Sequence, residues 1–299
     1  MLLQVIHETR YKYSPAVKTA QHMAHLKPAH DARQQLLGHE LKIDPAPVQQ
    51  SEATDVYGNT RAFFSLPARH EELKVVATSR VSTSPAPAVS GAMPWEEARE
   101  RLRYHRGAAY DPAAEFVFAS PYVPRRSEFL DYAMPSFTPE RPLLAAANEL
   151  MERIHEDFEY ETEATDASTP ALEALALRKG VCQDFTHVML ACLRSLGLPA
   201  RYVSGYLLTE PPPGRPRLVG SDASHAWVSL YVPGDGGAGA WTGLDPTNRR
   251  APGEDYVTLA TGRDYSDVSP IRGVLHGGAR HKLHVAVTVT PLVTAPTIP

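Results

Sequence analysis

The sequence predicts an α+β protein in two domains, and three observations carry that expectation. Residues 1–85 alternate apolar and polar side chains as strands do, residues 143–196 repeat apolar side chains at helical spacing, and residues 200–248 return to strand-like runs. A chain of 299 residues also exceeds what one ordinary core fills. The reading is a β-sandwich-like N-terminal domain over 1–90, a connector over 91–142, and helices packed on an antiparallel sheet over 143–270. A last strand segment, 271–299, completes the chain.

In the first strand Leu3, Val5, His7, Thr9, Tyr11 and Tyr13 share one face, and residues 73–83 read as another strand. Gly58-Asn59 marks a turn between Val56-Tyr57 and the strand 61–66. Pro, Gly and Ser crowd residues 84–94 as in a linker, and residues 95–105 form a short charged helix. Helical periodicity then runs through 143–158. A second helix is signalled by Ser168 and Thr169 as N-cap candidates with Pro170 at the first helical position, continuing through 171–179. After Gly180 a third helix spans about Cys182 to Leu196, with Phe185, Val188, Met189, Cys192, Leu193 and Leu196 on its apolar stripe and Gly197 as its stop. Residues 224–232 and 241–248 read as strands of a hairpin joined by the turn-rich 233–240. In 281–290, Leu283, Val285, Val287 and Val289 share one face, and a terminal strand of this kind needs a sheet to join; the N-terminal β domain is the expected host.

Composition is that of a soluble globular protein with net charge −4 and no basic stripe, which argues against nucleic acid or an anionic membrane as partner. No apolar run approaches the ~20 residues a spanning helix needs, and the first residues lack a signal-peptide pattern. Cys182 and Cys192 are the two cysteines. Their spacing on one helix, ~15 Å along the axis, rules out a disulfide between them and suits free thiols in a reducing cytoplasm. Cys192, on the apolar stripe, reads as core packing.

Cys182 is the residue with chemical promise. A thiol in the first turn of a helix faces unpaired N–H groups and the positive end of the helix dipole, which favour thiolate. The alternative is a small buried hydrophobe. A hairpin turn centred near Asp235 would place His225 directly across from Asp245, letting the carboxylate orient one imidazole nitrogen while the other meets the Cys182 sulfur. A one-residue slip would separate the two side chains onto opposite faces.

Cysteine at a helix start, then His225-Ala226-Trp227, then Asp245-Pro246-Thr247-Asn248, with the intervening 196–206 (LGLPARYVSGY), resembles the transglutaminase-like cysteine hydrolase superfamily in its bacterial branch. Residues 7–14 and 55–64 resemble the β-rich region that precedes this domain in bacterial proteins. The resemblance implies a papain-like, transglutaminase-like catalytic domain with Cys182 as nucleophile, His225 as general base and acid, and Asp245 as orienting carboxylate. Animal members carry Cys-Trp in the nucleophile motif and depend on calcium. This chain has Gln183 and Asp184 after the cysteine, so calcium is not implied, and no cofactor or metal is expected.

The function so implied is hydrolysis of an amide, peptide or isopeptide through a thioester. Transamidation of a protein glutamine by the same triad is the first alternative, and a non-catalytic binding or assembly module the second. A peptide-like or amide substrate is expected; any protein partner is unknown. The Cys182 N–H is a natural oxyanion donor, with Gln183 as a candidate for the second. Trp227 and Tyr231, by alternation with His225, are cleft or packing residues, and Tyr206 and Asn248 are cleft candidates. His22, His25 and His30 lack the further ligands a metal site needs, His187 lies ~140° around the helix from Cys182, and Ser204 has no nucleophile-elbow spacing. Asp184 and Arg201 are a candidate buried ion pair.

Overall fold

Strand β1 (Leu2–Ala24) is long enough to organise a whole domain. Leu3, Val5, His7, Thr9 and Tyr13 point inward from it and are buried, as their alternation predicts. A computed structural model gives the structure and describes residues 1–86, 92–103, 106, 110–209, 224–234, 239–278 and 280–292. Strands β2 (Gln34–Asp44), β3 (Gln49–Thr54), β4 (Thr60–Leu66) and β5 (His70–Thr83) follow in the order β2-β5-β1-β4-β3. Val56 and Tyr57 lie in the turn rather than in a strand. Asp55 Oδ1 accepts the N–H groups of Tyr57 and Asn59, both at 2.9 Å, and Gly58 takes a positive φ of 85°.

The second domain begins with helix α1 (Trp95–Arg101), a 3₁₀ turn at Pro112–Val117 and α2 (Ser127–Ala133). This stretch reads from sequence as connector, yet Trp95, Val123, Phe129 and Phe137 join the same buried cluster as the helices that follow. Its proline content and weak periodicity conceal anchors that bury one at a time. Next come α3 (Leu143–Asp157), β6 (Glu159–Tyr160), α4 (Ala171–Leu177), β7 (Lys179–Gly180) and α5 (Cys182–Ser195). Pro170 stands at the N-cap, one position earlier than predicted, and α4 ends at Arg178 in the left-handed conformation, φ 56°.

Strands β8 (Ala200–Leu207), β9 (Ser224–Val232), β10 (Ala240–Leu244) and β11 (Tyr256–Gly262) form an antiparallel sheet in the order β10-β9-β8-β11. Helix α5 packs on β8 and β9 and contacts α2, α3 and α4. Residues Asp184 to Arg194 are buried without a break, so the helix is covered on every side. Each fully buried side chain such as Leu190 or Leu193 stabilises by about 1.5–3 kcal/mol relative to exposure. A short helix, α6 (Tyr265–Val268), leads out of the sheet.

Strands β12 (Ile271–Gly277) and β13 (Arg280–Pro291) then return to β1, pairing with its second half and its first half respectively. Thus β1 pairs with β5 and β4 as well as with β12 and β13. The β-rich N-terminal domain is therefore one seven-stranded sheet, curled as a half-barrel, where the sequence predicts a sandwich-like pair of sheets. One strand pairs with four others, and Tyr206, Val257 and Leu259 of the second sheet complete the core on its inner face. Val287 and Val289 are buried in it, whereas Leu283 and Val285 on the same alternation are exposed.

The two sheets are tied by side chains that imitate a strand. Gln34 donates Nε2–H to Thr258 O and accepts the Thr258 N–H, both at 2.7 Å; Asn59 does the same for Thr261, at 2.7 and 2.8 Å. These amides satisfy backbone groups on the edge of β11 that have no further strand to pair with.

Candidate active site

Cys182 is the first residue of α5, and Asp184 fixes the start of that helix. Its Oδ2 accepts the Val181 N–H at 2.8 Å, the reciprocal half of a capping box, and the Thr165 hydroxyl at 2.7 Å. Burial raises the Asp184 pKa against the opposing pull of these bonds. Gly180 makes the approach possible: its φ is 151°, and a Cβ there would sit 2.4 Å from Asp184 Oδ2. No ion pair joins Asp184 to Arg201, whose guanidinium instead stacks over Trp241 at 4.2 Å.

The half-buried Cys182 thiol is close enough to the His225 imidazole to contribute to raising its pKa. His225 Nε2 is 2.7 Å from Asp245 Oδ2. Register differs from the symmetric turn by two residues, because Val228 pairs with Leu244 and Val232 with Ala240. Continued one step, that register sets Asp245 against Trp227 rather than His225. A shift of two preserves the face, and β10 ends at Leu244, so Asp245 is free to reach back along β9.

Asp245 is fully buried and is held from every direction. Oδ2 accepts from His225 Nε2, Asn248 Nδ2 and the Tyr256 hydroxyl, each at 2.7 Å, and Oδ1 accepts the N–H groups of Thr247 at 2.9 Å and Asn248 at 3.2 Å. Burial alone would raise its pKa, but these donors hold the carboxyl below its usual range. The turn that carries it is pinned to α3: His155 donates Nδ1–H to Thr247 O at 3.0 Å, and Arg249 pairs with Glu152 and Glu156. Burial pulls the His225 pKa down, yet the Asp245 hydrogen bond and the adjoining Cys182 outweigh it and push the value up to about 10. These interactions favour an imidazolium beside the buried carboxylate.

Other predicted site residues divide. Asn248 joins the carboxylate, as described. Trp227 is buried against His225, ring centres 6.0 Å apart, and meets Tyr256 edge-on at 5.3 Å. It backs the imidazole rather than lining the thiol side. Gln183 is turned away, its amide donating to Ala167 O at 3.2 Å, so it is not the second oxyanion donor in this arrangement. Tyr206 is not at a cleft rim: it is buried in the N-terminal core with its hydroxyl 3.0 Å from His7 Nδ1. On β8 it alternates toward the other domain, which periodicity alone does not reveal. Tyr231 donates to Asp111 at 2.6 Å, Ser204 is buried in β8, and Cys192 is fully buried, with burial raising its pKa.

Tyr256 is the residue that sequence reasoning missed. A tyrosine opening a strand reads as packing, and only the position of Asp245 reveals its second role. His22 stacks on Phe64 at 5.0 Å, His25 donates to Ser269 O at 3.1 Å, and His30 accepts the Leu36 N–H at 3.2 Å. Among the described residues no three His, Cys, Asp or Glu side chains converge as metal ligands would. No helix among them is long and apolar enough to cross a membrane.

A half-barrel joined to a helix-on-sheet domain, with a half-buried cysteine at a helix start and a His–Asp pair on the sheet, defines the class of protein by its transglutaminase-like architecture. The transglutaminase-like superfamily model matches residues 132–246, and the model of the bacterial transglutaminase-like N-terminal region matches residues 3–82. An uncharacterized protein of Mycobacterium tuberculosis is 40% identical over 294 residues, covering 96% of this chain and 92% of its own. The chain belongs to the transglutaminase-like superfamily. A protein-glutamine gamma-glutamyltransferase of Pseudomonas aeruginosa is 32% identical over 133 residues, which is 43% of this chain and 19% of that one. Among solved structures, a candidate cysteine protease from Cytophaga hutchinsonii superposes with a TM-score of 0.75 at 20% identity, over 99% of this chain and 93% of that one. That likeness is one of fold.

Proposed function

We propose that the protein hydrolyses amide bonds, in a peptide, isopeptide or similar substrate, with Cys182, His225 and Asp245 acting as a catalytic triad. The observation that supports this reading is the 2.7 Å bond of His225 to the fully buried Asp245, with Cys182 at the start of α5 among the groups that raise the His225 pKa. The thiolate attacks the carbonyl carbon, forming a C–S bond and a tetrahedral oxyanion. As the first residue of α5, Cys182 has no intrahelical acceptor for its N–H, which is thereby available to that oxyanion. The C–N bond then breaks as the imidazolium gives its proton to the departing amine, leaving a thioester on Cys182 and neutral His225. His225 next takes a proton from water as that water attacks the thioester, and release of the acid restores the ion pair. Asp245 holds the ring in one orientation and stabilises its charged form throughout.

Partial exposure of Cys182 lets water reach the acyl group, which supports hydrolysis. Both cysteines are free, in keeping with the reducing cytoplasm that we take as the location. Transfer to an amine is the second reading, favoured by the similarity to the Pseudomonas gamma-glutamyltransferase over 133 residues. Incubation with isopeptides, γ-glutamyl amides and peptides, with and without an added primary amine, tests both. Free acid as the main product supports hydrolysis; an excess of amine adduct supports transfer; neither product, with the Cys182→Ala chain equally inert, counts against an enzyme.

A further inference from the structure

Between the two domains lies a cavity of about 490 Å³, within the range of small-molecule sites. Its walls come from Ala29–Gln34 and the turn at Tyr57–Asn59 on one side and from the outer face of the β8–β11 sheet on the other. Two arginines meet there. Arg201, on β8, is half-buried, and its buried Nε has no hydrogen-bond partner among the described residues. Arg33 also has a buried, unpartnered Nε, and its Nη2 makes a 3.5 Å contact to Pro252 O. Neither guanidinium has a carboxylate within 4.0 Å among the described residues. Asp31, which also lines the cavity, uses Oδ1 to accept the N–H groups of Arg33 and Gln34 at 2.7 and 2.9 Å.

Leaving a buried donor unpaired is costly, and each of these two partly buried guanidiniums has an Nε–H that no group among the described residues satisfies, with the Asp31 carboxylate acting on Arg201 only at a distance. We infer that this cavity binds a small organic molecule through its carboxylate, held by Arg201 and Arg33. The charge balance selects the ligand: two guanidiniums less the Asp31 carboxylate leave one positive charge, which matches a monoanionic carboxylate better than a dianionic phosphate. Arg201 lies against the face of Trp241, which fixes the plane of its fork for a two-point bond to carboxylate. Trp227 and Tyr256 form part of the wall, and they separate the cavity from His225 and Asp245. The occupant therefore sits behind the reacting groups rather than at the thiol, and the inference stands whether or not Cys182 is a nucleophile.

Calorimetric titration of the whole chain with acetate, benzoate and inorganic phosphate tests it, with Trp fluorescence as a second readout because Trp241 borders the site. Saturable binding of a carboxylate is expected, weakened at least about tenfold by either Arg201→Gln or Arg33→Gln. Arg33 sits outside the strands, so its variant keeps the test decisive if Arg201→Gln fails to fold. Absence of carboxylate binding overturns the assignment, as does binding unaffected by Arg33→Gln. Tighter binding of phosphate overturns the choice of ligand. Alkylation of Cys182 by iodoacetamide is expected to proceed unchanged with benzoate bound, and protection of Cys182 would move the site to the thiol.

Discussion

His225 and Asp245 bond at 2.7 Å although the strand register sets Asp245 level with Trp227 rather than with His225. The contact is diagonal, and it is available because β10 stops one residue short of Asp245, at Leu244. Its consequence is electrostatic: a carboxylate saturated with donors faces an imidazole whose pKa stands near 10 instead of 6.5. Titration of His225 by NMR in Asp245→Asn is expected to show that value fall by at least about one unit, a loss of roughly 1.4 kcal/mol of preference for the imidazolium. An unchanged value would remove Asp245 from its orienting role.

Tyr256→Phe deletes one of three donors to Asp245 Oδ2 without changing packing. A loss of about 1 kcal/mol in urea denaturation is expected, smaller than for removal of the carboxylate itself. A neutral result would show that His225 and Asn248 suffice.

Acid should destabilise the fold earlier than its carboxylates alone predict. Burial lowers His7 and His22 to about 4 and His187 to about 3, from 6.5. The unfolded chain takes up these protons as pH falls below 6.5 while the folded chain refuses them, so stability declines from there toward pH 4, by up to about 1.4 kcal/mol per pH unit for each histidine. His225 has the opposite sign: its contribution is complete below 6.5 and is lost as pH rises through about 10. Thermal melts between pH 4 and 8 check the acid limb, and a flat profile below 6.5 would contradict it.

Gly205 is a point of close approach between β8 and its neighbours. A Cβ there would lie 2.1 Å from Val257 O and 2.6 Å from Trp227 Cη2. The first obstacle is backbone, so Gly205→Ala is expected to cost about 3 kcal/mol or more, read as a lower urea midpoint.

The clamp on β11 makes a further prediction. Asn59→Ala strips the partners from both the N–H and the carbonyl of Thr261, whereas Gln34→Ala strips the Thr258 N–H and leaves the Thr258 carbonyl with the Ala29 N–H at 3.1 Å. Asn59→Ala is expected to lower stability by about 2 kcal/mol and Gln34→Ala by about 1 kcal/mol, each with faster amide exchange at the uncovered Thr N–H.

Much of this molecule is legible in the sequence where a pattern repeats. The inward face of β1 follows from Leu3, Val5, His7 and Thr9, and α5 from its apolar stripe between Gly180 and Gly197, because alternation and helical period are local properties. The candidate residues Cys182, His225 and Asp245 stand out because each sits in a short motif, at the start of α5, in β9 and just past the end of β10. What stays hidden depends on distant partners. Tyr256 shows its second role only once Asp245 is placed beside it, and Tyr206 faces His7 from 199 residues away. The packing of residues 95–137 rests on scattered anchors such as Phe129 and Phe137 that carry no period. The Arg33–Arg201 cavity joins segments that no spacing in the sequence connects.

The central claim is that His225 activates Cys182. The most direct measurement is the iodoacetamide alkylation rate of each cysteine by mass spectrometry, in the native chain and in a His225→Asn variant shown to be folded. The account predicts that Cys182 labels at least about 100-fold faster than Cys192 and slows at least about tenfold in His225→Asn. Equal, slow labelling of both thiols, or a Cys182 rate indifferent to His225→Asn, would contradict it.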